Sequence, residues 1–175
     1  RRFSRLYDWF SYVYAPVMRV TFALLLGGDR QARMEILDRL EWTGGRLLEV
    51  SIGPGVNLPY LYELAPAGEV FGLDISPGQL RRCRRFTEKR GWAVDLFQAS
   101  AEALPFRNDS LDSVLHIGGI NFFSDKKSAL AEMVRVARPG TPIVVADETE
   151  QVARLYDRLP VFSRREGVGK AETAA

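Results

Sequence analysis

The chain has 175 residues, of which 46% are hydrophobic, and this is enough to bury the core of one globular domain. Its 24 lysine and arginine residues nearly balance its 22 aspartate and glutamate residues, a charge too balanced to argue by itself for a nucleic-acid partner, and none is expected. Cys83 is the only cysteine, so an internal disulfide is excluded and a reducing cytoplasmic location is expected. The longest apolar run, residues 22–26, is far short of the roughly 20 residues needed to cross a bilayer, and no secretory signal is recognised, so no integral membrane segment is expected.

The first 45 residues are predicted to form a helical cap. An aromatic stripe recurs at three- and four-residue spacing and ends at Gly27, and a second helix is predicted over residues 30–40. A cap packed on the following domain is the favoured interpretation. A lid that lines a substrate pocket and attachment to a membrane surface through the terminal arginines are the alternatives. The stripe consists of Phe3, Tyr7, Phe10, Tyr14 and Val17.

The segment from residue 46 to residue 60 predicts a buried strand, a glycine turn and a helix that begins near Val56. Gly53 and Gly55 lie in the turn, where the absence of a Cβ lets backbone approach a ligand closely. A second strand ends at Asp74, roughly 20 residues further on, the spacing at which an acid at the neighbouring strand end can reach a ribose. We therefore expect a nucleoside-binding crevice between the two strand ends.

Strands and helices alternate through the rest of the chain. Helices are predicted over residues 56–64, 78–89 and 125–137, and in the last of these Ala129, Met133 and Val136 form one buried stripe. The pattern predicts a doubly wound α/β domain with a mostly parallel sheet over residues 46–175. After residue 150 no strand is recognisable, so either the sheet has five strands or further C-terminal strands are absent from the chain. The five predicted strands are apolar runs over residues 47–51, 70–74, 94–99, 113–117 and 143–147.

Four segments resemble class I S-adenosylmethionine-dependent methyltransferases, in that family's order and spacing. Residues 49–55 resemble the first motif of the family, and residues 70–78 resemble the segment that follows it. Residues 101–106 and 129–140 resemble the subgroup that contains the ubiquinone/menaquinone biosynthesis methyltransferases. The resemblance covers about residues 46–150, and it implies a Rossmann-like methyltransferase fold with S-adenosylmethionine as the cofactor.

The resemblance also implies roles for individual residues around that cofactor. Glu49 would lie close to the methionine portion and its ammonium group. The backbone of Gly53 and Gly55 would lie close to the ligand, where a side chain would collide with it. Asp74 would accept two hydrogen bonds from the ribose hydroxyls, and Ile75 would pack against the adenine ring.

The chain departs from the family pattern at two positions. Ser51 stands where the family has its first glycine, which narrows the conformational freedom of the turn. Ser100 and Ala101 fall where the family reads the adenine amino edge, and Ser100 replaces an acid, so this contact should be weaker or mediated by water. Glu102 is expected either to cap a short helix before Leu104 or to contact the ligand.

His116 closes the fourth predicted strand and is the only histidine. It could act as a general base on the methyl acceptor or form a wall beside the sulfonium, where it would also contact the cofactor. Positioning without base catalysis is favoured, because no neighbouring carboxylate in the sequence would orient the ring. Phe122 and Phe123 could supply apolar walls for the acceptor. The substrate-contact candidates are Tyr7, Tyr14 and Asn121.

Other polar and reactive groups are given simpler interpretations. The basic run over residues 81–90 is interpreted as the solvated face of a helix, and Cys83 as a packing residue. Asp147 and Glu148 are two adjacent carboxylates, which by themselves do not make a metal site, so no metal is expected.

The predicted function is methyl transfer from S-adenosylmethionine to a small, largely apolar molecule that is quinone-like, polyketide-like or a lipid headgroup. One alternative is an NAD-dependent oxidoreductase, which is disfavoured because Leu58 stands where the dinucleotide pattern needs its third glycine. The other is a non-catalytic nucleoside-binding module, which the departures at Ser51 and Ser100 keep open. A homodimer is compatible with the sequence, which does not decide the oligomeric state.

Overall fold

The computed structural model describes residues 29–147. These residues form one five-stranded sheet in which every pair of neighbouring strands is parallel, in the order β3-β2-β1-β4-β5. The parallel α/β architecture predicted from the sequence is confirmed. The aromatic stripe with Tyr7 and Tyr14, and the segment after Asp147, lie outside the described residues. The strands are β1 (Arg46–Val50), β2 (Glu69–Asp74), β3 (Val94–Gln98), β4 (Ser113–Ile117) and β5 (Ile143–Ala146).

In the described part of the chain, four α-helices connect or precede these strands, and two of them begin at side-chain caps. The Ser76 hydroxyl accepts a hydrogen bond from the Gln79 amide, and the Asp125 carboxylate accepts one from the Ser128 amide. Short 3-10 turns occupy residues Asp38–Leu40 and Ile120–Phe122. The helices are α1 (Asp29–Leu37), α2 (Leu58–Leu64), α3 (Pro77–Glu88) and α4 (Lys126–Val136).

The sheet is covered on both faces, which explains its uninterrupted apolar strands. Leu47 and Leu48 are neighbours in β1 and point to opposite faces, yet both are fully buried. Leu47 packs in a cluster with Leu37 and Leu61, and Leu48 packs in a second cluster with Met133. Burial of each such side chain contributes about 1.5–3 kcal/mol, so the two clusters hold the sheet edge that carries the site.

Several local predictions can be compared directly with the structure. The buried stripe on α4 and the packing role of Cys83 are confirmed, since these side chains are all fully buried. Helix α2 begins at Leu58 and not near Val56, because the preceding turn with its positive φ angles continues further than predicted. Within residues 29–147 no helix is long and apolar enough to span a bilayer.

Candidate functional site

The carboxyl ends of the four strands β1 to β4 lie side by side at one edge of the sheet. Val50, the last residue of β1, is paired with Leu73 on one side and with His116 on the other. Asp74, the last residue of β2, is paired with Gln98, the last residue of β3. The chain reverses its direction of strand addition between β3 and β4, and ligands of open α/β sheets bind at such an edge.

The turn after β1 has three residues in the left-handed region. Ser51 has φ +62°, Gly53 has +57° and Gly55 has +84°. Among residues 29–147, a Cβ added at Gly53 would meet only a backbone oxygen at 4.0 Å, so none of these residues fills the space above this glycine. A Cβ at Gly55 would instead lie 2.7 Å from Leu58 and 2.9 Å from Cys83. A side chain at position 55 would therefore collide with the protein's own core, whereas the sequence predicted a collision with the ligand.

The carboxylate of Asp74 joins the turn to the end of β2. One oxygen, Oδ2, accepts a hydrogen bond from the Gly53 amide at 2.9 Å, and Oδ1 accepts one from the Ser76 amide at 2.8 Å. A carboxylate is an acceptor of hydrogen bonds only, which is the chemistry that the hydroxyls of a diol require. Ile75 follows with 65% of its surface exposed, which is an unusual position for an isoleucine and provides an apolar surface beside the acid.

The carboxylate of Glu49 is buried with only one of its oxygens satisfied. Oε1 accepts a hydrogen bond from Asn57 Nδ2 at 2.6 Å, whereas Oε2 has no partner within residues 29–147. Burial raises the pKa of Glu49 to about 7, and the Asn57 hydrogen bond and the charge of Arg33 act in the opposite direction. A buried carboxylate with one unpaired oxygen is suited to a cationic hydrogen-bond donor.

Two members of this arrangement were missed at the sequence level. Asn57 lies at the start of α2, eight residues after Glu49, and accepts a hydrogen bond from Arg33 Nη1 at 2.6 Å. A polar residue between the turn and an apolar helix is a local signal that could have identified Asn57. Arg33 comes from α1, and no local pattern points to its contact with Asn57.

Ser100 and Ala101, the residues expected to contact the adenine amino edge, lie just after β3, from which Ala99 separates them. Ala101 is buried, and the Ser100 hydroxyl donates to the Glu102 carboxylate. The Oε1 atom of Glu102 accepts from the amides of Ser124 and Asp125 at 3.0 and 3.3 Å. Residues 101–105 form turns and no helix, so the helix-capping role predicted for Glu102 is wrong. Its carboxylate ties the end of β3 to the start of α4.

His116 is completely buried at the end of β4. Its Nδ1 lies 2.9 Å from the carbonyl oxygen of Val50, and because a carbonyl can only accept, Nδ1 is the protonated nitrogen. The Nε2 atom therefore carries the lone pair, and it has no partner in the described part of the chain. Burial lowers the pKa of His116, which favours the neutral ring, and Phe123 packs against that ring at 5.0 Å between centroids.

The loop after β4 is held by an acid from the end of β5. The amides of Gly119 and Ile120 donate to the two oxygens of Asp147 at 3.2 and 2.9 Å. Asn121 is exposed, and its side-chain oxygen accepts from Lys126 Nζ at 2.7 Å. Across residues 29–147 no group of three or more histidine, cysteine or acidic side chains could hold a metal ion.

Comparison with known proteins places this arrangement in context. The demethylmenaquinone methyltransferase of Thermus thermophilus is 38% identical over 71% of this chain, which covers 57% of that protein. The ubiquinone/menaquinone biosynthesis C-methyltransferase of Geobacter sulfurreducens is 31% identical over 91% of this chain, which covers 64% of that protein. The chain thus spans about three fifths of the length of these two relatives.

A solved structure shares the fold of this chain, and a family model matches its sequence. A SAM-dependent methyltransferase from Aquifex aeolicus has the same fold, with a TM-score of 0.57 and 21% identity over 63% of this chain and 61% of that chain. The family model described as a methyltransferase domain matches residues 48–145, which include the glycine turn, Asp74 and His116. The chain therefore belongs to the methyltransferase-domain family.

Proposed function

We propose that this protein transfers the methyl group of S-adenosylmethionine to a small, largely apolar acceptor. The observation that carries the proposal is the joint placement of an open turn at Gly53, an acid at Asp74 and the half-satisfied carboxylate of Glu49 at one sheet edge. Membership in the methyltransferase-domain family supports it. The cofactor would be held by Glu49, Gly53, Asp74, Ile75, Ser100 and Ala101.

Each part of the cofactor has a chemically suitable partner at this edge. The ammonium group would satisfy the free oxygen of Glu49, and the ribose diol would donate to Asp74. The exposed Ile75 would cover one face of the adenine ring. Ser51 lies beside these groups in the turn, and its left-handed conformation retains the backbone shape that the glycine of the family pattern would give.

An NAD-dependent oxidoreductase is the weaker alternative. Leu58, which stands in place of the third glycine of the dinucleotide pattern, is fully buried and reaches towards Gly55. A pyrophosphate at this turn would also approach the buried carboxylate of Glu49, which costs electrostatic energy at low dielectric. An ammonium group at the same position gains energy from that carboxylate.

Bound S-adenosylmethionine would supply an electrophilic methyl group on a sulfonium. The task of this chain is then to align the acceptor and, for a hydroxyl or an acidic carbon, to take up its proton. We propose that Nε2 of His116 accepts that proton, since the Val50 carbonyl fixes the ring and leaves the lone pair on Nε2. The sequence favoured a role for His116 without base catalysis, because no neighbouring carboxylate would orient its ring. The Val50 carbonyl orients the ring instead, which supports base catalysis.

The acceptor class proposed here is a quinone-like ring. Its support is the similarity to two proteins named for demethylmenaquinone and for ubiquinone/menaquinone biosynthesis. Phe123 beside His116, and Phe122 with 41% of its surface exposed, supply flat apolar surface at the same edge. Residues 1–45, with Tyr7 and Tyr14, are proposed as the cap over this acceptor, and Asn121 as a polar contact to it.

Calorimetric titration of the full chain with S-adenosylhomocysteine and with NAD tests the cofactor. We expect binding of S-adenosylhomocysteine and none of NAD, and the reverse result would refute the proposal. A transfer assay with radiolabelled S-adenosylmethionine and demethylmenaquinone then tests the activity, with Asp74→Ala as the control that should neither bind nor transfer. Tight binding of S-adenosylhomocysteine without transfer to any fraction of a cell extract would favour a non-catalytic module.

A further inference from the structure

We propose that Arg33 and Asn57 are positioning residues, which hold the Glu49 carboxylate so that its free oxygen faces the ammonium group of the cofactor. Helix α1, which precedes the residues matched by the family model, would thereby take part in cofactor recognition. This inference rests on the proposed function and extends it beyond the matched motifs.

The three side chains form a relay with a single allowed orientation. Asn57 donates through Nδ2 to Glu49 Oε1 and accepts through Oδ1 from Arg33 Nη1, and both distances are 2.6 Å. A carboxylate can only accept and a guanidinium can only donate, so a flipped amide would place oxygen against oxygen and nitrogen against nitrogen. The relay therefore fixes which oxygen of Glu49 is occupied and which is left for a ligand.

The side-chain amide of Asn57 does not cap the helix that it precedes. Asparagine at a helix N-cap usually accepts a hydrogen bond from a backbone amide of the first turn. Asn57 occupies the N-cap position of α2, but its side chain makes no capping hydrogen bond. Its side chain is instead committed to the relay at 2% exposure, beside Glu49 at 1%.

The relay also favours the charged form of Glu49. Burial and, to a smaller extent, the charge of Asp74 raise the pKa of this carboxyl, whereas the hydrogen bond from Asn57 and the charge of Arg33 lower it. Loss of either partner would therefore favour the protonated acid at neutral pH. A protonated acid has no charge to pair with an ammonium group, so its affinity for the methionine end would fall.

Helix α1 offers a matched control for this role. Arg30, one turn before Arg33 on α1, forms a salt bridge with Glu63 of α2 at 2.6 Å, and both side chains are more than half exposed. The Arg30→Met variant removes a contact between the same two helices without touching Glu49. Arg33→Met makes the same substitution on the same helix, but it removes the guanidinium that donates to Asn57.

The experiment compares two ligands by calorimetry on the full chain: S-adenosylhomocysteine and its analogue that lacks the α-amino group. We expect Arg33→Met and Asn57→Leu to weaken the affinity for S-adenosylhomocysteine severalfold, because loss of either partner favours protonated Glu49, and to leave the affinity for the analogue unchanged. Arg30→Met should leave both affinities unchanged. The double variant Arg33→Met/Asn57→Leu should be no weaker than Asn57→Leu alone, because both changes break one relay.

Equal weakening of both ligands by Arg33→Met would overturn the inference, because it would indicate general damage or a contact elsewhere on the cofactor. The same selective loss in Arg30→Met would also overturn it. If Arg33→Met does not fold, Asn57→Leu alone provides the comparison of the two ligands, because Asn57 makes the hydrogen bond to Glu49. Failure of the unmodified chain to bind S-adenosylhomocysteine would refute the proposed function itself, a result distinct from loss of selectivity.

Discussion

Replacement of Glu49 by glutamine should make the ligand-free protein progressively more stable relative to the unmodified chain as the pH rises through about 7, and it removes a proposed cofactor contact. The pKa of Glu49 is raised by burial from 4.5 to about 7, so the folded state binds this proton more tightly than the unfolded state. The stability contributed by Glu49 is therefore fully present below pH 4.5 and is lost as the pH rises through about 7. A glutamine side chain does not ionise, so the stability of the variant lacks this dependence on pH.

The size of the effect follows from the shift in pKa. Each unit corresponds to about 1.4 kcal/mol, and integration of the proton difference between pH 5 and pH 8 gives roughly 2–3 kcal/mol. Glutamine also introduces a buried amide whose cost does not depend on pH. The quantity to examine is therefore the change with pH in the stability difference between Glu49→Gln and the unmodified chain.

Urea unfolding of both proteins at pH 5, 6, 7 and 8, without ligand, measures this quantity. We expect the variant to gain about 2–3 kcal/mol relative to the unmodified chain between pH 5 and pH 8. Other titrating groups, including His116, are present in both proteins and cancel in the comparison. A stability difference that stays constant over this range would show that Glu49 is not desolvated in the folded state, and the argument about its free oxygen would fail.

Three further substitutions test the turn and the base. Ser51→Gly should stabilise the fold by about 0.5–1 kcal/mol in thermal unfolding, because Ser51 has φ +62°, whereas Ser51→Ala should give no gain. Gly55→Ala should destabilise the protein without ligand by about 2 kcal/mol, since its Cβ would meet Leu58 and Cys83, and an effect seen only with ligand bound would contradict this. His116→Gln should lower turnover by roughly 10²–10⁴ with unchanged affinity for S-adenosylhomocysteine, and partial rescue by imidazole is expected. Full turnover in that variant would show that positioning alone suffices.

The architecture and the central pair of the site could be predicted from the sequence. Parallel strands buried on both faces leave long apolar runs, and short crossovers between them restrict the order in which strands can be added. The glycine turn follows β1 and Asp74 is the last residue of β2, and strand ends in such a sheet meet at one edge. The contact between Gly53 and Asp74 is thus a consequence of local pattern and connectivity.

Other features depended on packing between segments that are distant in the chain. The orientation of His116 comes from the carbonyl of Val50, 66 residues away, and a backbone carbonyl leaves no signature in the sequence. Glycine is needed at position 55 because a Cβ there would collide with Leu58 and Cys83. The motif alone suggested that a ligand occupies this space.

The relay at Glu49 shows most clearly which features follow from the local sequence and which follow from tertiary packing. The sequence by itself placed an acid at the end of the first strand, because the apolar run and the turn define that position. Only the tertiary structure brought Arg33 and Asn57 to that acid, since the docking of α1 against α2 decides which side chains meet. The ionisation of a buried carboxyl depends on its desolvation and its partners, and both are properties of the packed molecule.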